Sequence, residues 1–199
     1  AYTVKFDEND DDLIKATQEA LKNAIATVEP GVKTNYIGKI IEETIKDYNF
    51  NPIKDLCGHG LRPYVLNSGI TIPNYNSNLG TKLKEGDTMA IEPFASTKAG
   101  KLKSSEEVYI FKYLQDRPLR DPNSKKLLNA IKQNYKTLPF AERWLEKNYT
   151  GLKINFSLRN LIRANAIYPY NVLLDSEGGL VSQAENSLIV TSNGCEVYT

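Results

Sequence analysis

The residue pattern predicts an α+β fold, and three observations carry that reading. Two amphipathic helical stripes follow one another near the start, short β-like runs occupy the middle and the end, and a helical block separates those runs. A chain of 199 residues can bury one substantial core, so one domain with an inserted subdomain is the natural organisation.

Each element has a local reason. The opening Ala1-Tyr2-Thr3-Val4-Lys5-Phe6 alternates apolar and polar residues like a half-buried strand, whose pairing partners are expected upstream of residue 1. Asp10-Asp11-Asp12 then places carboxylates at the positive end of a helix with the stripe Leu13, Ala16, Ala20, Leu21, Ala24 and Val28, which Pro30-Gly31 stops. Thr34 is a good cap for a second helix carrying Ile37, Ile40, Ile41, Thr44, Ile45 and Tyr48 on one face. Two such helices need a sheet to lie on. Its strands are expected at Tyr64–Leu66, Thr88–Thr97, Val108–Leu114, Val172–Leu174, Leu180–Thr191 and Glu196–Tyr198, with Asn74–Gly80 as a surface loop. From Leu119 to Ala166 the spacing turns helical, through Leu127, Leu128 and Ile131, then Phe140, Trp144 and Leu145, then Leu158, Leu161 and Ile162. Three short helices are expected there, with Phe140 and Trp144 as buried anchors and no metal ligands. Residues 119–166 thus form the inserted subdomain, and 1–118 with 167–199 the main domain.

Composition excludes several function classes. Twenty-five basic against 24 acidic residues leave a net charge of +1, which gives no reason to favour nucleic acid or an anionic membrane. No apolar run approaches the roughly 20 residues that cross a bilayer. Cys57 and Cys195 are too few for a disulfide scaffold and point to a reducing compartment, with the cytoplasm as default. The start shows no basic and apolar regions of a signal peptide. Neither a Gly-rich phosphate loop nor a zinc-finger spacing occurs.

Three residues stand out chemically. His59, the one histidine, sits between Gly58 and Gly60, which permit close approach of a ligand; a loop histidine of no consequence would look the same. Glu92 lies in the apolar run from Thr88 to Ala95. There its carboxylate must be paired, protonated or bound to a cation, or else point outward from an edge strand marked by Pro93. Glu185 shares a strand face with Gln183 and Ser187, a polar stripe that an ordinary solvent-facing strand would also show. One imidazole and two carboxylates suit a divalent metal such as Mn, Co, Fe or Zn, but only a fold could gather them. Cys57, two residues before His59, could form a nucleophilic pair with it or be a buried, inert thiol.

Several segments, in order, resemble the type II methionine aminopeptidases, particularly archaeal ones. They are Asn51-Pro52-Ile53 through Gly58-His59, Ala90-Ile91-Glu92-Pro93-Phe94-Ala95-Ser96-Thr97, Leu138-Pro139-Phe140-Ala141-Glu142-Arg143-Trp144-Leu145, Ala166-Ile167-Tyr168-Pro169-Tyr170, and Gly178-Gly179-Leu180-Val181-Ser182-Gln183-Ala184-Glu185. The resemblance covers essentially the whole chain. It implies the C-terminal half of the pita-bread fold, with residues 119–166 as the helical insertion that marks type II. It also implies two divalent metal ions held by two aspartates, one histidine and two glutamates, and His59, Glu92 and Glu185 match the last three. In the family pattern Glu185 bridges the metals, Glu92 ligates one and can shuttle a proton to the leaving amine, and Tyr170 lines the methionine pocket. The substrate is the N-terminus of a peptide or nascent protein.

Departures from the pattern are specific. The two aspartates belong to a stretch that ends just before the segment resembling Ala1-Tyr2-Thr3-Val4, so an upstream or partner N-terminal half is expected to supply them. Asn67 stands where the family carries a histidine that holds the substrate and its developing oxyanion, and it can donate a hydrogen bond but not a proton. Ala184-Glu185-Asn186 replaces the usual Phe-Glu-His around the second glutamate. Two functions follow: a metalloaminopeptidase completed by that N-terminal half, or a catalytically impaired relative that binds a ribosome, nascent chain or other protein.

Overall fold

The computed structural model describes residues 1–6, 11–145 and 151–199. Its elements run α1 (Asp11–Ala26), α2 (Thr34–Asp47), β1 (Asn51–Pro52), β2 (Cys57–Gly60), β3 (Thr71–Pro73), β4 (Thr88–Ile91), β5 (Phe94–Ser96), β6 (Leu102–Tyr113), α3 (Pro122–Tyr135), β7 (Pro139–Ala141), α4 (Gly151–Arg163), β8 (Ile167–Asp175), β9 (Val181–Gln183), β10 (Asn186–Thr191) and β11 (Gly194–Val197). The fold is α+β, with antiparallel pairing at every strand register that defines the site. Two compact units result, one of Ala1–Lys103 with Leu174–Thr199 and one of Ser104–Leu173.

In the first unit α1 buries Leu13, Ala16, Ala20, Leu21 and Ala24 of the expected stripe together with Thr17, Asp11 and Asp12 occupy its first turn, and Val28 is buried just beyond its end. Asp10 lies outside the described residues. α2 buries Ile37, Ile41, Thr44 and Ile45 as its spacing predicts. Thr34, however, is its first helical residue and not its cap; Lys33 holds the cap position without a side-chain bond. The Thr34 hydroxyl accepts from Thr81 N at 3.2 Å, and Thr34 N donates to Thr81 O at 3.0 Å, so a neighbouring loop satisfies this helix end. Gly38 is part of the buried face because a Cβ there would lie 2.5 Å from Tyr75 O and 2.6 Å from Pro73 O.

Both helices cover a five-stranded sheet of order β11-β10-β4-β2-β3 and a three-stranded sheet of order β1-β5-β9. Their common core joins Leu21, Ala24, Ile37, Ile41, Ile45, Ile72, Met89, Ile91, Leu188 and Val190. The run Thr88–Thr97 is two strands broken at Glu92-Pro93, and Leu180–Thr191 is two strands broken at Ala184-Glu185. The opening segment makes one isolated bridge, Tyr2 to Ala184, and no strand. Tyr64–Leu66 is an exposed turn region, with Tyr64 at φ 60°. Asn74, expected in a surface loop, is fully buried and donates to Leu56 O at 3.1 Å.

The second unit pairs a sheet of order β7-β6-β8 with α3 and α4. Asp121 caps α3 by accepting from Ser124 N at 2.7 Å, ahead of Pro122 at the first turn. Among the described residues the expected three helices are two, and Phe140 and Trp144 fall instead on β7 and a 3-10 turn at Glu142–Trp144. Phe140 is a strand residue, 1% exposed, stacked on Tyr135 at 4.8 Å and tilted against Phe111 at 6.0 Å. Trp144 is not a buried anchor. It is 50% exposed and touches Tyr135 from outside at 5.9 Å, since the 3-10 turn carries it past the layer that Phe140 fills. Among the described residues no helix is long and apolar enough to cross a membrane.

Candidate functional site

Strand register decides which polar residues meet. β4 and β10 pair with Ile91 opposite Asn186, and β5 and β9 pair with Phe94 opposite Gln183. Both pairs belong to one antiparallel register, so the break between them sets Glu92 directly opposite Glu185. Ala184 N donates to Pro93 O across that break at 3.3 Å. On the other side of β4, His59 faces Ala90. Because alternate residues share a sheet face, His59 is a diagonal neighbour of Glu92, and Gln183 is another. Gly58 makes this approach possible, since a Cβ there would fall 2.4 Å from Ala90 O.

The side chains bear out the register. His59 Nε2 stands 3.6 Å from Glu92 Oε1, and both side chains are 15% exposed. That separation is an ion-pair contact longer than a hydrogen bond, and His59 Nδ1 is buried with no hydrogen-bond partner among the described residues. Gln183 Nε2 donates to Glu92 Oε2 at 3.1 Å. Burial first, and then the opposed Glu185 charge, push the Glu92 carboxyl up to about 7 against that hydrogen bond. The backbone of Glu185 pairs with that of Ala1, whose N donates to Glu185 O at 3.0 Å while Glu185 N donates to Ala1 O at 2.8 Å.

These residues fit a cation. A ring that makes no hydrogen bond among the described residues, beside two opposed carboxylates of which one resists ionisation, is relieved when a divalent ion takes up the lone pair and the negative charge. The donor set is partial. Among the described residues no three His, Cys, Asp or Glu side chains form a group that could hold a metal ion. Glu185 acts on Glu92 through its charge.

The remaining sequence candidates take definite places. Asn67 lies in the exposed connection from β2 to β3, with its Oδ1 accepting from Gly69 N at 3.4 Å. Ser68 N donates to Gly60 O at 2.9 Å, which holds Asn67 next to the end of the His59 strand. Tyr170 belongs to the second unit, on β8, edge-on to Tyr168 at 5.0 Å. Cys57 is half-buried, and burial and then the Glu92 charge push its thiol up, away from thiolate.

Sequence reading passed over Asp175. It is 2% exposed; burial alone would raise its carboxyl, but donors from Ser96 Oγ at 2.7 Å, Glu177 N at 2.9 Å, Gly179 N at 3.3 Å and Gly100 N at 3.0 Å bring it down to about 2. It ties the end of β5 to the approach to β9, the two strands that flank the break. Its neighbours Ser176, Gly178 and Gly179 signalled a turn, but nothing local distinguished it from a surface aspartate.

Residues 1–118 match metallopeptidase family M24. Methionine aminopeptidases of Methanothermobacter thermautotrophicus and Thermococcus onnurineus are 43% and 45% identical, each over 100% of this chain and 68% of their own length. That of Methanocaldococcus jannaschii is 41% identical over 100% of this chain and 67% of its own. Among solved structures, a thermophilic Arx1 superposes with TM-score 0.73 at 18% identity, covering 98% of this chain and 60% of that one. A methionine aminopeptidase from Thermotoga maritima superposes with TM-score 0.60 at 21% identity, covering 97% and 53%. The chain therefore spans about two thirds of the curated relatives' length and less of the solved ones.

Proposed function

This chain belongs to metallopeptidase family M24, and from that membership we propose that it serves as a methionine aminopeptidase, hydrolysing the peptide bond that follows an N-terminal methionine. The observation that supports the reading is His59 beside Glu92 on one sheet face, with Glu185 opposite Glu92 in the strand register. His59, Glu92 and Glu185 would hold two divalent ions, completed by two aspartates from an N-terminal segment or partner. Such ions supply a Lewis acid and a hydroxide at neutral pH.

The chain's own residues have separate tasks. His59 offers a nitrogen lone pair, since its ring makes no hydrogen bond among the described residues. Glu92 and Glu185 bring the negative charge that offsets the cations, and their mutual repulsion is relieved by the same event. Glu92 Oε1 is the oxygen that Gln183 leaves open toward His59, and the Glu92 carboxylate is placed to shuttle a proton to the leaving amine. Asn67 presents an amide to the substrate carbonyl and can donate to its oxygen without carrying charge.

Release of methionine from a Met-Ala-Ser peptide, with added Mn or Co, tests the reading. Full-length protein supplied with both aspartates is expected to turn over, and residues 1–199 alone are not. His59→Ala and Glu185→Gln should abolish release, whereas Asn67→His should raise it by on the order of 10²-fold, the usual worth of one oxyanion donor. Full-length protein that binds Mn yet releases no methionine would favour the non-catalytic, protein-binding alternative.

A further inference from the structure

Glu92 is the residue on which the site turns, yet it follows the last residue of β4 and precedes a proline, so its own strand does not hold it. A carboxylate there can rotate about its side-chain bonds unless something fixes it. β9 supplies the constraint. Gln183 lies diagonally across the break and donates from Nε2 to Glu92 Oε2 at 3.1 Å, leaving Oε1 on the side of His59 Nε2, 3.6 Å away. An ionised carboxylate only accepts, so the amide must present its nitrogen, and the contact has one polarity.

Gln183 is itself gripped from both sides of its backbone. Its N–H donates to Thr3 Oγ1 at 2.8 Å, and the Thr3 hydroxyl donates to Gln183 O at 3.0 Å. Ser182 Oγ donates to Thr3 Oγ1 at 3.1 Å, and Ser182 Oγ lies 2.9 Å from Thr17 Oγ1 on α1. Each hydroxyl has one hydrogen. The three hydroxyls thus have three hydrogens for four contacts, the fourth being Thr17 Oγ1 to Ile14 O at 3.0 Å. The network links α1 through Ser182 and Thr3 to the backbone that carries the Gln183 amide. Thr17 and Ser182 are buried polar residues at 0% and 1% exposure, which makes this chain costly to break and hard to rearrange.

We propose that Gln183 is a positioning residue for the metal site, fixing one Glu92 oxygen so that the other is presented beside His59, and that the Thr3 clamp holds Gln183 in place to do so. This rests on the reading of Glu92 as a metal ligand. The partners that orient a metal ligand typically change metal affinity about 10- to 100-fold when removed.

The test titrates Mn2+ into full-length protein by calorimetry, comparing wild type with Glu92→Gln, Gln183→Leu and Thr3→Val, alongside urea unfolding of each in chelator. The expected result is strong weakening by E92Q, about 10- to 100-fold weakening by Q183L, and a smaller loss in the same direction for T3V, with Q183L and T3V unfolding near the wild-type midpoint. A merely structural Gln183 would move the midpoint and leave the affinity alone. Q183L binding as tightly as wild type, while E92Q does not, overturns the positioning role and leaves the metal-ligand reading intact. Wild type that does not bind Mn2+, or E92Q that binds it as wild type does, overturns that reading and the inference with it. Should Q183L fail to fold, T3V decides alone, and unchanged affinity there overturns the proposal.

Discussion

Replacing Glu92 by glutamine removes a carboxyl whose proton affinity the fold has raised, while keeping its size and its capacity to accept from Gln183. Burial and the opposed Glu185 move this group from 4.5 to about 7, and the side chain is only 15% exposed, so solvent screening is weak. At about 1.4 kcal/mol per pH unit, that difference is worth about 3 kcal/mol between the acid and the ionised form. The sign follows from the folded value lying above the unfolded one. The contribution is fully present below pH 4.5 and is lost as pH rises through 7, because the folded protein must then carry a charge it accommodates poorly. Metal-free wild type should therefore weaken from pH 4.5 to pH 8, and E92Q should lack this component. Urea unfolding in chelator reads it: the two proteins are expected to be of similar stability near pH 4.5, with E92Q more stable by about 3 kcal/mol at pH 8. Added Mn2+ should reverse the order, since only wild type gains from the cation. A pH-independent difference, or E92Q less stable at pH 8 without metal, would refute the claim that uncompensated charge is stored at this position.

Three further outcomes are expected. Asp175→Asn should cost about 2 kcal/mol at neutral pH, from the difference between 3.8 and about 2; that contribution is present above pH 3.8 and lost as pH falls through 2, so urea unfolding should show the gap narrowing between pH 5 and pH 2. Gly38→Ala should lower the thermal midpoint by the equivalent of about 1 to 3 kcal/mol, because its Cβ meets two backbone carbonyls that cannot step aside; an unchanged midpoint would mean α2 lies farther from Pro73 and Tyr75. Phe140→Ala should destabilise the second unit by about 3 to 5 kcal/mol. Trp144→Ala should cost about 1 kcal/mol, and calorimetry showing the two equal would contradict their different burial.

The α+β class, the two covering helices and the apolar faces of α1 and α2 were legible in the residues themselves, because a helix of fourteen or more residues repeats its period several times. His59, Glu92 and Glu185 were legible as chemical types, and the resemblance of their flanking segments was legible as a family. β1, β2, β3 and β7 were not. Strands of two to four residues show no period, and pairing rather than propensity makes them strands. Trp144 shows the same limit from the other side, since helical spacing placed it inside while a 3-10 turn carries it out to half exposure.

What the sequence by itself determined is local: where helices run, which side chains are apolar, and which residues have lone pairs or charges to offer. What only the tertiary structure decided is which of those residues meet. The shared register of β4 with β10 and of β5 with β9 puts Glu92 against Glu185, turns Gln183 from one member of a polar stripe into the partner of a single carboxylate oxygen, and brings Thr3 and Thr17 to its support. The physical reason is that hydrogen-bonded register and charge proximity act through space between residues up to 180 positions apart, and no periodicity along a chain encodes a distance of that kind.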